Sequence, residues 1–319
     1  MSVIYHASAL PPGGCGVAIG FFDGVHVGHR EIIRRLVRGC AELGLKSVVM
    51  TFEPHPSETL RPGCSIERLT SLDQKTALIA ELGVDYVFVR CFDRELAAQE
   101  PKVFVEKVLL GELNAKHVWV GFNFTFGHRA SGRAEDLGPL LAQHGVGVAI
   151  VEPVVRDGVV VSSTTIRALI KSGSVDQAEK LLGKPFQISG SVQSGDGRGR
   201  ELGFPTANIA WPSQIVKPRH GVYVVMVDWG EGARLGVANF GPRPTFRSIR
   251  ELLEVHVIGG ARTLYGEELT VSFLKWVRAQ KAFRDESALI EQVKQDISFA
   301  QQLNQEKFTH PLRYGRIKQ

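Results

Sequence analysis

The stretch GVAIGFFDGVHVGH (residues 16–29) decides how this chain is read. A short apolar run, GVAIGFF (16–22), stops at Asp23-Gly24. Apolar residues then recur at Ile32, Ile33, Leu36, Val37, Cys40 and Leu43, which is helical spacing, and Gly44 follows as a stop. A strand therefore turns sharply into a helix. Such a junction suits phosphate. Gly20 and Gly24 permit a tight turn and close backbone approach, and the helix start offers unpaired N–H groups. His26 and His29 are three apart and can face the same way, donating to phosphate oxygens as charge builds on phosphorus. The same spacing also suits a zinc fragment, or a cap beside a surface histidine. No GxxxxGK[ST] element occurs, which disfavours P-loop chemistry.

Strands and helices alternate outward from this stretch. KSVVMTF (46–52) is β-branched and closes at Pro54 and Pro56. Ser71 with Gln74 forms a capping box for a helix ended by Gly83. Strand VDYVFV (84–89), a helix from Pro101 to about Leu113, strand HVWVG (117–121), a helix near 134–144 and a strand over 146–151 follow. This alternation predicts an α/β, Rossmann-like parallel sheet covered on both faces. Ligands on such sheets bind beyond the carboxyl ends of the strands, so segments 20–29, 52–56 and 121–132 should share one rim.

The second half changes character after a helix that Ser174 and Gln177 are expected to cap. FQISGSV (186–192), GVYVVMVDW (221–229), LGVANF (235–240), LLEVHVI (252–258) and LTVSFL (269–274) are short strands between Gly/Pro turns. They predict a small antiparallel β-barrel or sandwich, and residues 285–303 a C-terminal helix. The expected domains are 1–183 and 184–319.

With 319 residues, 44 % hydrophobic and 22 % charged, the chain has the make-up of a folded protein of about two domains. No run of about 18 apolar residues exists, so no membrane span is expected. The start, MSVIYHASALPPGG, shows no basic region leading into an apolar one, so no secretory signal is expected. Cys15, Cys40, Cys64 and Cys91 make no CxxC pair and read as reduced thiols in the cytoplasm. The net charge is +5, and it is uneven: residues 1–183 carry 19 Lys+Arg against 20 Asp+Glu, residues 184–319 carry 19 against 13. A basic second half suits an anionic ligand. The charge is scattered and lacks interleaved aromatics, which counts against nucleic acid.

Three more motifs carry chemistry. In GFNFTFG (121–127), Asn123 and the glycines can contact a ligand beside packed aromatics. VSSTTIR (161–167) ends a strand and opens a helix, with Ser163 and Thr164 as N-cap candidates and Arg167 as a phosphate fork. GDGRGRELGFPTANI (195–209) joins flexible glycines to arginines that can fold over phosphates, or that can form an exposed hairpin or an RNA-contacting turn. Thr206 and Asn208 supply hard oxygens suited to Mg²⁺.

In this order GFFDGVHVGH, TFEPHP, GFNFTFG and VSSTTIR resemble the adenylyltransferase half of prokaryotic bifunctional riboflavin kinase/FMN adenylyltransferases, also called FAD synthetases. The family often has Asp where this chain has the uncharged Asn123. GDGRGRELGFPTAN, GVY (221–223), NFGPRPTF (239–246) and LEVH (253–256) resemble its kinase half, and the likeness spans residues 14–303.

The resemblance implies two reactions. Riboflavin and ATP give FMN in the second domain, with Glu254 as general base. FMN and ATP give FAD and pyrophosphate in the first, with His26 and His29 stabilising the transition state. Gly20, Phe21, Asp23, Gly24, His55, Asn123, Ser163, Thr164 and Arg167 would bind ATP and FMN there. Gly195, Gly197, Arg198, Gly199, Arg200, Thr206, Asn208, Asn239 and Arg243 would bind ATP and flavin in the kinase domain, with Mg²⁺ on Thr206 and Asn208. The expected partners are these small molecules, without nucleic acid or membrane; a weak homo-oligomer is allowed. A single-activity enzyme and a flavin-sensing or RNA-binding module are the rival readings. The tail 304–319 is expected to be mobile.

Overall fold

The computed structural model describes residues 1–60, 63, 66–194, 198–244, 249–260 and 264–308. The expected sites Gly195 and Gly197, and most of the tail, lie outside these residues, as do the side chains of Arg198 and Arg243. The chain divides into two compact units, Met1–Thr165 and Ile166–Gln319.

The first unit is built on six parallel strands: β1 (Ser2–Ile4), β2 (Cys15–Ile19), β3 (Lys46–Glu53), β4 (Tyr86–Cys91), β5 (Ala115–Gly121) and β6 (Gly147–Val151). Their order is β1-β4-β3-β2-β5-β6, with Val17 level with Val48 and with Val118. The chain runs outward from β2 through β3 to β4, then returns to add β5 on the other side of β2. The switch point therefore lies between β2 and β5, where the Rossmann-like topology opens a crevice. Alternate side chains go to opposite faces, and both faces are covered. Val17, Ile19, Val48, Met50, Val118 and Val120 pack with Phe104, Val108 and Leu141. Ala18, Val49 and Trp119 pack with Ile32, Ile33, Leu36 and Cys40 of α1 (Val27–Leu43) and with Leu78 and Ile79 of α2 (Leu72–Ala80). This is why the strands read as continuous apolar runs.

The sequence places most of these elements correctly. The Ser71/Gln74 capping box is present in full. The first predicted strand is shorter than 16–22, because Phe22 adopts a left-handed conformation and breaks it. The three-residue edge strand β1 leaves too little periodicity to see.

The second unit includes α3 (Ser163–Ser172) from Ile166 onward, and α4 (Val175–Leu182). The observed division thus falls earlier in the chain than residue 183. Asp176 of α4 is ion-paired with Lys275, and Val175, Ala178, Leu181 and Leu182 form its buried face. Ser174 occupies the N-cap of α4, but its side chain makes no capping bond; its hydroxyl accepts from Ser172 Oγ instead, at 3.1 Å. Six antiparallel strands follow: β7 (Phe186–Gln193), β8 (Ala207–Ala210), β9 (Gly221–Asp228), β10 (Arg234–Pro244), β11 (Ile249–Val257) and β12 (Glu268–Arg278). They close as a barrel in the order β7-β8-β11-β10-β9-β12, so the expected barrel is found and a sandwich is not. The barrel interior is filled by rings: Phe186, Trp211, Tyr223, Phe240 and Phe273 touch in pairs. The opposite face of the same wall, with Val222, Val224, Val237 and Leu274, packs on Ala300, Ile297 and Leu303 of α5 (Glu286–Phe308).

Candidate active sites

In the first unit the turn after β2 is held in an unusual shape. Phe22 and Val25 have φ of 53° and 42°, and Gly24 has φ of 79°. A β-branched residue there is an outlier, and such strain costs about 1–3 kcal/mol per residue. Buried contacts over-determine it. The Asp23 carboxylate accepts from the Leu69 and Thr70 amides at 2.8 and 3.3 Å, and the Gly24 N–H donates to Thr70 Oγ1 at 3.2 Å. Phe22 and Val25 are fully enclosed in the core.

The turn delivers both histidines to the start of α1. His26 is its N-cap residue, and His26 Nδ1 accepts from the His29 backbone N–H at 3.2 Å. Capping, one of the alternatives open to HxxH, is thus among the uses of His26. It also fixes the neutral tautomer: with Nδ1 as acceptor, the proton sits on Nε2. The two rings stack at 3.5 Å with 15° between planes. Burial, the His26 ring and the Lys75 cation hold His29 well below the usual histidine range, so it is neutral at pH 7. His29 Nδ1 is buried without a hydrogen-bond partner, which suits a site completed by something from outside the chain.

The other rim segments end at the same sheet edge. His55 follows β3; its ring meets Phe21 edge-on at 4.0 Å, and its Nδ1 accepts from the Ser57 amide. Asn123 is exposed just beyond β5, with Phe124 and Phe126 stacked beside it. Ser163 Oγ donates to the Asp23 carbonyl at 3.1 Å, tying the start of α3 to the turn. The helix cap differs from the expectation. Ser162, not Ser163 or Thr164, accepts the capping bond from the Thr165 amide at 3.2 Å, which frees Ser163 for the turn. Thr164 is exposed on the first helical turn, and Arg167 lies one turn on, in the second unit.

Sequence reading missed the charged residues beneath the turn. Arg68 is buried and donates to both oxygens of Glu53 at 2.7 and 2.9 Å and to Glu58 at 2.8 Å. Burial opposes its charge, and these carboxylates more than offset that, so its pKa is raised. Lys75 is 3 % exposed, with Nζ 3.0 Å from Thr51 Oγ1 and 3.3 Å from the Phe21 carbonyl. Burial pushes it down to about 8, against the pull of Glu53 and Asp23 and with Arg68 adding to the push. One signal was available: Lys75 lies on the stripe marked by Leu72, Leu78 and Ile79.

In the second unit a cavity of about 520 Å³ opens between the outer barrel wall and α5. Gly199, Arg200, Thr206, Asn208, Asn239 and Glu254 all line it. Asn208 on β8 is level with Glu254 on β11, and Glu254 is level with Asn239 on β10. Residues in register share a face, so this row presents its side chains together. Asn239 Nδ2 donates to Glu254 Oε2 at 3.3 Å, and Gln280 Nε2 donates to Asn239 Oδ1 at 2.9 Å. The chain of amides orients the carboxylate. Asn208 is buried and its Oδ1 has no partner. A Cβ on Gly199 would stand 2.6 Å from the Phe204 carbonyl oxygen, so only glycine fits that close approach. Arg200 lies over the Tyr265 ring at 5.9 Å. Unforeseen, Arg278 and Asp296 also line the cavity. Their fork has contacts of 2.6–3.2 Å, and Asp296 is 3 % exposed.

Comparison with known proteins finds one family match for each part of the chain. A family model described as FAD synthetase matches residues 10–165, and one described as riboflavin kinase matches residues 182–304. The bifunctional riboflavin kinase/FMN adenylyltransferase of Escherichia coli K12 is 39 % identical over 92 % of this chain and 94 % of its own length. That of Listeria monocytogenes is 36 % identical over 88 % and 89 %. A crystal structure described as a macrolide-efflux protein from Streptococcus pneumoniae has a TM-score of 0.86 at 30 % identity, covering 94 % of this chain and 98 % of that one. Among the described residues no helix is long and apolar enough to cross a membrane. The riboflavin kinase and FMN adenylyltransferase activities follow from these matches, with ATP as co-substrate and FMN and FAD as products. The chain belongs to the bifunctional riboflavin kinase/FMN adenylyltransferase family, with its FAD synthetase part first and its riboflavin kinase part second.

Proposed function

We propose that the expected residues carry these two reactions as follows. In the kinase part Glu254 accepts the proton of the riboflavin 5′-hydroxyl as its oxygen attacks the γ-phosphorus of ATP. ADP leaves with the electron pair of the broken P–O bond. Asn239 holds the carboxylate in place, and Gln280 holds Asn239. The observation that carries this reading is the in-register row Asn208–Glu254–Asn239, which sets a base between two amides on one wall of the cavity. The apolar wall, with Val222, Leu289 and Val293, suits the flat flavin ring, and Arg200 suits phosphate. The buried unpartnered Oδ1 of Asn208 and the hydroxyl of Thr206, two residues before it, fit Mg²⁺ as hard oxygen donors. When bound, the ion would neutralise charge on the ATP phosphates.

In the adenylyltransferase part the FMN phosphate attacks the α-phosphorus of ATP and pyrophosphate leaves. The nucleophile is already anionic, so no strong base is needed. The neutral rings of His26 and His29 act as hydrogen-bond donors to the crowded phosphorus centre. The start of α1 adds its dipole. Gly20, Phe21, Asp23 and Gly24 shape the turn, while His55, Asn123, Ser163, Thr164 and Arg167 contact nucleotide or flavin. Domains 1–183 and 184–319 would carry the respective activities, in the cytoplasm.

Glu254→Gln should lower riboflavin phosphorylation by roughly 10²–10⁴-fold and leave FMN adenylylation intact; His29→Ala should do the reverse. Chromatography of products from riboflavin or FMN with Mg-ATP reads both. Wild-type phosphorylation by Glu254→Gln would refute the base assignment.

A further inference from the structure

The adenylyl-transfer turn rests on a buried ammonium group that none of the motifs contains. Lys75 projects from the apolar stripe of α2, where leucine would satisfy the helix and burial of an ammonium is costly. Its Nζ bridges the segment after β2 and the neighbouring strand, donating to the Phe21 carbonyl and to Thr51 Oγ1 on β3. Thr51 in turn donates to the same Phe21 carbonyl at 3.0 Å, and the Phe21 ring covers the ammonium at 4.4 Å.

We propose that Lys75 is a positioning residue for FMN adenylylation: its ammonium pins the main chain of the turn that presents His26 and His29. The proposal rests on the reading of that turn as the adenylyl-transfer site. Two observations independent of the motifs support it. The turn is strained at Phe22 and Val25 and needs an anchor at Phe21. Lys75 is also one of the charges that hold down the proton affinity of His29.

The charged groups facing Lys75 are Glu53 from β3, Asp23 from the turn and Arg68 from the segment before α2, and the titratable ring of His29 on α1 faces it too. Because Lys75 titrates at about 8, it is mainly charged at pH 7 and loses its proton above pH 8. The anchor then weakens. FAD formation should therefore fall as pH rises through about 8, whereas riboflavin phosphorylation by the same polypeptide should not follow it.

The test uses the full chain, with FMN plus Mg-ATP and riboflavin plus Mg-ATP assayed separately from about pH 6.5 to 9.5. Lys75→Met should lower kcat for FAD formation about tenfold to a hundredfold and abolish the alkaline fall. Lys75→Arg should keep activity and move the fall beyond the range. An unchanged rate and profile in Lys75→Met overturns the proposal. So does Lys75→Arg with the fall still at the wild-type pH, which decides alone if Lys75→Met does not fold by circular dichroism. His29→Ala separates the two readings. Loss of FAD formation there, with both Lys75 variants behaving as wild type, rejects Lys75 and keeps the turn. Full FAD formation in His29→Ala rejects the turn itself and the proposal with it.

Discussion

Asp296→Ala removes the acceptor of the Arg278 fork, which lines the cavity of the second unit. Asp296 is 3 % exposed, and three Arg278 contacts of 2.6–3.2 Å plus a Gln292 contact of 3.1 Å converge on it. Breaking a buried pair from one side costs about 3–5 kcal/mol, because the other charge is stranded. The Arg278 side chain retains 21 % exposure and can turn partly to water, which brings the expected loss to about 2–3 kcal/mol. For a unit of this size that is a fall in Tm of roughly 4–12 °C. Scanning calorimetry of the full chain reads it, and riboflavin binding should weaken alongside, since the fork joins α5 to β12. A double-mutant cycle with Arg278→Met isolates the pair: the double variant should recover part of the loss, as no charge is left stranded. A change below about 0.5 kcal/mol in Asp296→Ala would refute this reasoning, because it would mean that the fork carries no net energy.

Gly199→Ala should impair the kinase selectively, because the new methyl meets the Phe204 carbonyl at 2.6 Å; riboflavin phosphorylation with FMN adenylylation as the control reads this. Thiol labelling should separate the cysteines. Burial raises Cys15 to about 12 and Cys40 to about 11, so neither is a thiolate at pH 8, whereas Cys91 is exposed. Peptide mass spectrometry after iodoacetamide at about pH 8 should find Cys91 modified, and Cys15 and Cys40 modified only after denaturation.

The sequence showed the sheet of the first unit because its strands are buried on both faces and its helices keep a clear apolar stripe. It showed five of the six barrel strands by their turns. Ala207–Ala210 escaped, being four residues long and inside a motif that reads as a loop. Motif residues were legible; their partners were not. Asn208, Glu254 and Asn239 meet only because three strands pair in one register, and register is a property of the assembled barrel. Arg278 and Asp296 stand 18 residues apart on different elements. Lys75 interrupts an apolar stripe, and periodicity counts such a residue as noise.

The barrel wall has two populations of side chains that alternate along one strand. Tyr223, Val225 and Val227 belong to the filled interior, and Val222 and Val224 to the outer side that packs on α5, where Val222 also lines the cavity proposed for riboflavin. Stability and substrate choice are thus written in interleaved positions of the same ribbon. Mutation at an outward position such as Val222 can reshape that cavity while the aromatic plug stays untouched, which leaves this scaffold room to change without coming apart.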